Sequence, residues 1–246
     1  MSLRTERHDR VVVLTMDSPP ANAMHAAGLD ELSDAVDAAA RDNDVDAIVI
    51  TAAGRAFNAG LDLKAIQGAD AGAQETLIDA LNRCFLTVYS CPKLVVGAIN
   101  GHAIAGGLVL ALCCDVRLVA DTPLRAALAE VNVGVAFPLG ALEVVRNELA
   151  GATLRRFVLR GEVVDAATGT ALGVFDRVVP ADELLDAALQ LAADTRPPTA
   201  FATIKAQLRA PAIATMRAAL GGGDPLPRPW LTDESFAAAA AALARG

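Results

Sequence analysis

The first half of the chain alternates short unbroken apolar runs with stretches whose apolar positions recur every third or fourth residue. Val11–Met16 (VVVLTM), Ala47–Thr51 (AIVIT), Lys93–Ile99 (KLVVGAI) and Asp115–Val119 (DVRLV) have the length and β-branched content of buried strands. Between them, Leu29, Leu32, Val36 and Ala39 fall on one stripe of a helix over about 26–40. Leu77, Leu81, Phe85 and Val88 do the same over 73–89, ahead of Pro92. Asp17–Asn22 (DSPPAN) carries the turn residues that end the first strand. The order strand, helix, strand, helix, strand, helix, strand predicts an α/β layered core with largely parallel pairing.

Past Phe137 the pattern becomes helical over 141–149, 152–159 and 166–171. A short return strand is predicted at Val174–Val179 and another amphipathic helix at 182–193. From about Arg196 the character changes again. A helix over Phe201–Leu208, a Gly/Pro-rich break at Gly221–Pro229 and a final alanine-rich helix form a tail whose apolar positions must pack on something, a neighbouring subunit included. No internal repeat occurs at a fixed period.

Composition narrows the classes. A chain of 246 residues can bury a full core as one large domain or one domain with a helical appendage. Apolar residues make up 54%, but charges interrupt them, so no membrane span is expected. The start, MSLRTERHDR, is charged with no long apolar segment behind it, and reads as cytoplasmic. A net charge of −8 opposes general nucleic-acid binding and leaves an anionic ligand to backbone donors and a few local cations. The four cysteines, Cys84, Cys91, Cys113 and Cys114, form no CxxC and read as small packed hydrophobes.

Candidate chemistry gathers at two glycine turns. Ala98–Asp115 (AINGHAIAGGLVLALCCD) is a strand end and a Gly-Gly pair opening an apolar helix, whose first N–H groups lack partners and suit an oxygen that becomes negative. By itself such a stretch is more often a close-packed helix start than a site. Gly54–Lys64 (GRAFNAGLDLK) leaves a buried strand through Gly60, so each turn could offer one N–H to a single oxygen. Glu130, with apolar Leu128 and Val131 beside it, is either a partly buried working carboxylate or a surface residue on an amphipathic turn. His102 is a packing residue or lines the same site. P-loop, GxGxxG, GxSxG and HExxH patterns are absent, and His8, His25 and His102 make no metal-ligand spacing with the cysteines, so no metal is expected.

Taken in order, DSPPANAM, GRAFNAGLDLK, AINGHAIAGGLVLALCCDVRLVAD, AEVNVG and FDRVVPADEL resemble the crotonase superfamily, the enoyl-CoA hydratase and isomerase group. The resemblance implies a crotonase (ClpP-like) ββα spiral core over 1–195 and a C-terminal helical trimerisation region over 196–246. It implies an acyl-CoA thioester as substrate with no separate cofactor, and a homotrimer or dimer of trimers. The thioester oxygen would accept from the backbone N–H groups of Leu61 and Gly106, with Glu130 as acid and base. Ala23, Met24, Ala59, Asp62, Leu63, Lys64, Ile104, Gly107 and Val109 would contact substrate, Ala59–Lys64 lying along the CoA with Lys64 near its charged portion.

Hydratases of that superfamily carry one glutamate on the Gly-rich helix and one in the later segment. Alignment puts the first at Val109, which cannot move a proton, and keeps the second as Glu130. A single carboxylate beside an oxyanion hole implies a 1,3-proton shift, turning 3-enoyl-CoA into 2-enoyl-CoA. Water addition to 2-enoyl-CoA, or acyl-CoA binding with little catalysis, are the alternatives.

Overall fold

The computed structural model describes residues 2–63, 65–194 and 200–243. In chain order it forms β1 (Leu3–His8), β2 (Val11–Met16), α1 (Ala26–Arg41), β3 (Ala47–Ala52), β4 (Ala56–Asn58), α2 (Ala71–Ser90), β5 (Leu94–Ile99), β6 (His102–Ile104) and α3 (Gly106–Cys113). There follow β7 (Val116–Ala120), β8 (Ala126–Ala127), a single 3₁₀ turn over Glu130–Val133, α4 (Leu139–Glu148), α5 (Gly151–Arg160), β9 (Val163–Val164) and α6 (Ala166–Ala171). β10 (Arg177–Val179), a 3₁₀ turn over Ala181–Glu183, α7 (Leu184–Asp194), α8 (Phe201–Ala218) and α9 (Asp233–Leu243) complete it.

The strands form a large sheet in the order β1-β2-β3-β5-β7-β10 and a small one in the order β4-β6-β8-β9. In the large sheet every neighbour from β2 to β10 is parallel, and β1 alone is antiparallel. The chain visits the sheets in turn: β3 then β4 then α2, β5 then β6 then α3, β7 then β8 and on toward α4. This is the expected ββα spiral.

Alternation along the strands divides the core. Val12, Leu14, Met16, Ile48, Ile50 and Val95 join the main core with the buried residues of α1, α2 and α3. Their neighbours Val11, Val13, Ala47, Val49, Leu94 and Val96 face the other way and pack against Leu184, Ala188 and Ala192 of α7. The cysteines are buried and unpaired, and burial pushes the thiols of Cys84 and Cys114 up to about 12.

Three elements depart from the sequence pattern. No strand is predicted over the charged start, yet β1 pairs along its whole length with β2, its charged side chains blunting the sheet edge. The return strand is confined to Arg177–Val179. α8 runs ten residues beyond Leu208, straight through Pro211, to Ala218.

α8 holds because it is docked by charge as well as by Ala212, Ile213 and Met216. Lys205 Nζ lies 2.7 Å from Asp115 Oδ2, and Arg209 lies 3.0 Å from Asp115 Oδ1 and 3.4 Å from Glu148 Oε1. Arg209 also donates to the Tyr89 carbonyl at 2.8 Å and stacks on the Tyr89 ring at 3.9 Å. No helix among the described residues is long and apolar enough to cross a membrane.

Candidate active site

Both glycine turns leave strands of the small sheet. β4 and β6 are parallel neighbours, with Asn58 opposite Ala103, so the segments after them emerge side by side. Gly60 takes φ +82°, a conformation open to glycine. A Cβ on Gly60 would stand 3.0 Å from the Ile104 carbonyl, 3.1 Å from Ala105 Cβ and 3.6 Å from the Gly106 nitrogen, so the turns are in contact.

The direction of the first turn's amides follows from its hydrogen bonds. Met24 forms a parallel bridge with Leu61: its N–H donates to the Gly60 carbonyl at 2.7 Å, and its carbonyl accepts from Asp62 N–H at 3.0 Å. A trans peptide sets C=O and N–H on opposite sides. With the Gly60 carbonyl turned to Met24, the Leu61 N–H faces away from that bridge.

At the second turn Ala105 adopts φ 51° and ψ −125°, a strained conformation for alanine. Its N–H donates to the Ala127 carbonyl at 2.8 Å, while its carbonyl accepts from Leu108 and Val109 at 2.9 and 3.1 Å. The Ala105 carbonyl therefore points into α3 and the Gly106 N–H points out from the helix start, where the helix dipole is positive. A Cβ on Gly106 would meet Met24 Sδ at 3.1 Å and Phe85 Cζ at 3.8 Å. Gly107 has no room for a side chain at all: its Cβ would lie 2.1 Å from the Asn58 carbonyl oxygen.

Glu130 opens its 3₁₀ turn and is 8% exposed, although Val131 and Asn132 beside it are exposed. Its Oε2 is the one carboxylate oxygen among the described residues that is buried without a hydrogen-bond partner. Burial pushes this carboxyl from 4.5 up to about 7, against the smaller opposing effect of its own backbone N–H. The group is tied to the glycine turns through β8. Ala127, bonded to Ala105, is three residues away, a span that extended chain limits to about 11 Å between the Cα atoms.

The structure thus brings Met24, Leu61, Ile104, Gly106 and Gly107 together around the paired turns. Ala23, Ala59, Asp62 and Leu63 are half-buried along the strand of the first turn, and Asp62 Oδ1 accepts from Ala65 N–H at 3.0 Å. Val109 lies in α3, fully buried in the main core. His102 serves the fold: its Nδ1 accepts from Arg125 N–H at 2.9 Å. Lys64 lies outside the described residues. The sequence pattern does not single out Asn58, buried at the start of the first turn, or Asn22, buried in the turn after β2. The Asn-x-Gly spacing of Asn58 and Gly60 was the available signal.

The sequence model of enoyl-CoA hydratase/isomerase matches residues 6–222. The chain belongs to the enoyl-CoA hydratase/isomerase family. This family member is 37% identical over 187 residues, 75% of its length and 73% of the relative's, to a Mycobacterium tuberculosis (7aS)-7a-methyl-1,5-dioxo-2,3,5,6,7,7a-hexahydro-1H-indene-carboxyl-CoA hydrolase. It is 33% identical over 221 residues, 89% of its length and 86% of the relative's, to the 2,3-dehydroadipyl-CoA hydratase of Escherichia coli K12. Among solved structures it resembles an enoyl-CoA isomerase of M. tuberculosis with TM-score 0.82 and 30% identity, covering 90% of this chain and 96% of that one. This family member is therefore an acyl-CoA enzyme of the crotonase superfamily.

Proposed function

We propose that this family member is a Δ3,Δ2-enoyl-CoA isomerase in which Glu130 is the single acid and base. The carrying observation is a buried Glu130 with an unpartnered oxygen, combined with an apolar, buried Val109 at the position where a hydratase would hold its other carboxylate. In this reading the Leu61 and Gly106 N–H groups receive the thioester oxygen. Ionised Glu130 takes a proton from C2; the C2–H electron pair moves into a dienolate, and the oxygen gathers negative charge. Glu130 then returns the proton to C4, leaving the double bond between C2 and C3. The proton count closes without water. Each pre-aimed donor of this kind is worth about 3 kcal/mol in the transition state, and a carboxyl near 7 is matched to accept and release a proton at neutral pH. Ala23, Met24, Ala59, Asp62, Leu63, Lys64, Ile104, Gly107 and Val109 are assigned to substrate contact.

The test is purified protein with cis-3-hexenoyl-CoA, following the absorbance of the conjugated 2-enoyl thioester, beside crotonyl-CoA hydration. Isomerisation faster by at least about tenfold is expected, since activating a water commonly draws on a separate general base worth a hundredfold or more. Hydration equal to or faster than isomerisation overturns the isomerase reading in favour of the hydratase.

A further inference from the structure

Beside the proposed donors lies a pair of buried asparagines that the chemistry above does not use. Asn58 is wholly buried and Asn22 2% exposed. Asn58 Oδ1 accepts from Gly60 N–H at 2.8 Å, closing a turn in which a side chain replaces a backbone carbonyl. Its Nδ2 donates to the Asn22 carbonyl at 2.6 Å. Asn22 in turn holds φ 52°, a region asparagine tolerates. Its Nδ2 donates to the Ala53 and Ala56 carbonyls at 2.9 and 2.8 Å, and its Oδ1 accepts from Ser18 N–H at 2.7 Å.

We infer that Asn58, anchored by Asn22, is a positioning residue that aims the Leu61 N–H at the substrate oxygen. The Leu61 N–H belongs to the Gly60–Leu61 peptide, and the peptides on the two sides of the Gly60 Cα are each held by a hydrogen bond, which sets Gly60 φ and ψ between them. Asn58 fixes the Gly60 nitrogen, and Met24 N–H fixes the Gly60 carbonyl. Glycine alone would leave the plane free to rotate, because Gly60 at φ +82° has alternative conformations close in energy. The Asn58 carbonyl is also the atom against which Gly107 packs, so the same residue sets the approach of the second turn. Neither asparagine needs to touch substrate.

This inference rests on the reading that the Leu61 and Gly106 amides receive the thioester oxygen. Its experiment therefore uses a signal that needs no turnover: the red shift in absorbance when 2,4-hexadienoyl-CoA binds and its carbonyl is polarised. The wild-type protein is expected to shift the spectrum. Asn58→Ala is expected to bind the ligand with most of the shift lost. Asn58→Ser, which keeps an oxygen for the Gly60 N–H, is expected to recover it. On 3-enoyl-CoA, Asn58→Ala should lower kcat about 10- to 100-fold, short of outright loss of a donor, with KM within about threefold.

Because an emptied buried site can prevent folding, Asn22→Gly provides a second reading. It keeps the left-handed backbone and removes only the side chain, and a smaller shift is expected. An undiminished shift in folded Asn58→Ala or Asn22→Gly overturns the inference. Wild-type protein that binds the ligand with no shift overturns the paired-amide reading and this inference with it. Absence of isomerase turnover alone leaves the spectral comparison intact.

Discussion

Replacing Glu130 by glutamine should make the protein more stable and nearly inactive. The two side chains have the same shape, but only the carboxyl ionises, and it does so in the folded state at about 7 against 4.5 for an ordinary glutamate. Between those values the native protein binds more protons than the unfolded chain, so wild-type stability is fullest below 4.5 and falls as pH rises toward 7. Glu130→Gln escapes that loss. Its advantage over wild type should be about 1 kcal/mol at pH 5 and about 3 kcal/mol at pH 8, since a tenfold difference in proton affinity between folded and unfolded chain corresponds to about 1.4 kcal/mol. All other titrating groups are common to both proteins and cancel. Urea unfolding of the pair at the two pH values measures the difference. Turnover on 3-enoyl-CoA should fall by about a thousandfold, within the usual range for a removed general base. In the wild type, kcat should rise with pH around 7, because the carboxylate is the form that accepts the proton. A stability difference that does not change between pH 5 and pH 8 would refute the burial-raised proton affinity of Glu130 on which the mechanism rests.

Other perturbations separate site from scaffold. Gly107→Ala puts a Cβ 2.1 Å from the Asn58 carbonyl, so α3 must move off β4; a stability loss of several kcal/mol and collapse of the dienoyl-CoA red shift are expected by denaturation and absorbance. Val109→Glu should raise crotonyl-CoA hydration above the wild-type rate while lowering stability at pH 8 by about 2–4 kcal/mol, the cost of an unpaired carboxylate in the core. Unchanged hydration in that variant would count against Val109 as the residue that separates the two chemistries. Arg209→Ala removes one of two cations from Asp115, which keeps Lys205, and one from Glu148, which keeps Arg117, and should cost about 1.5–3 kcal/mol in urea unfolding with kcat and KM unchanged in the folded fraction.

The parallel sheet was legible because β2, β3 and β5 are apolar on both faces, a pattern that only a doubly covered sheet requires. β1 was not, because an edge strand with its side chains in water carries no such pattern, and its pairing is imposed by the reversal at Asp9–Arg10. β4, β6, β8 and β9 are two or three residues long, too short for any period to show. The extension of α8 past Pro211 depends on Arg209 reaching Asp115 and Glu148, contacts far away in sequence. Within the site, the glycines declared the two turns. Glu130 could not declare its burial, since Val131 and Asn132 beside it are exposed and the cover comes from the α5 and α9 regions of the chain. Trp230, whose Nε1 donates to the Ala136 carbonyl at 2.8 Å, pins the loop after Glu130 from a distance that no local pattern spans.

Leu61 and Gly106 each stand three residues beyond the same rung of the small sheet, Asn58 opposite Ala103. Neighbouring strands lie about 4.8 Å apart whatever their side chains. In the mechanism proposed above, the gap between the two donors starts from the repeat of the β-lattice, and Asn58 with the two glycine turns completes their aim. Surrounding residues can be exchanged to admit a longer tail, a ring or a second acid, and the amide pair keeps its gauge.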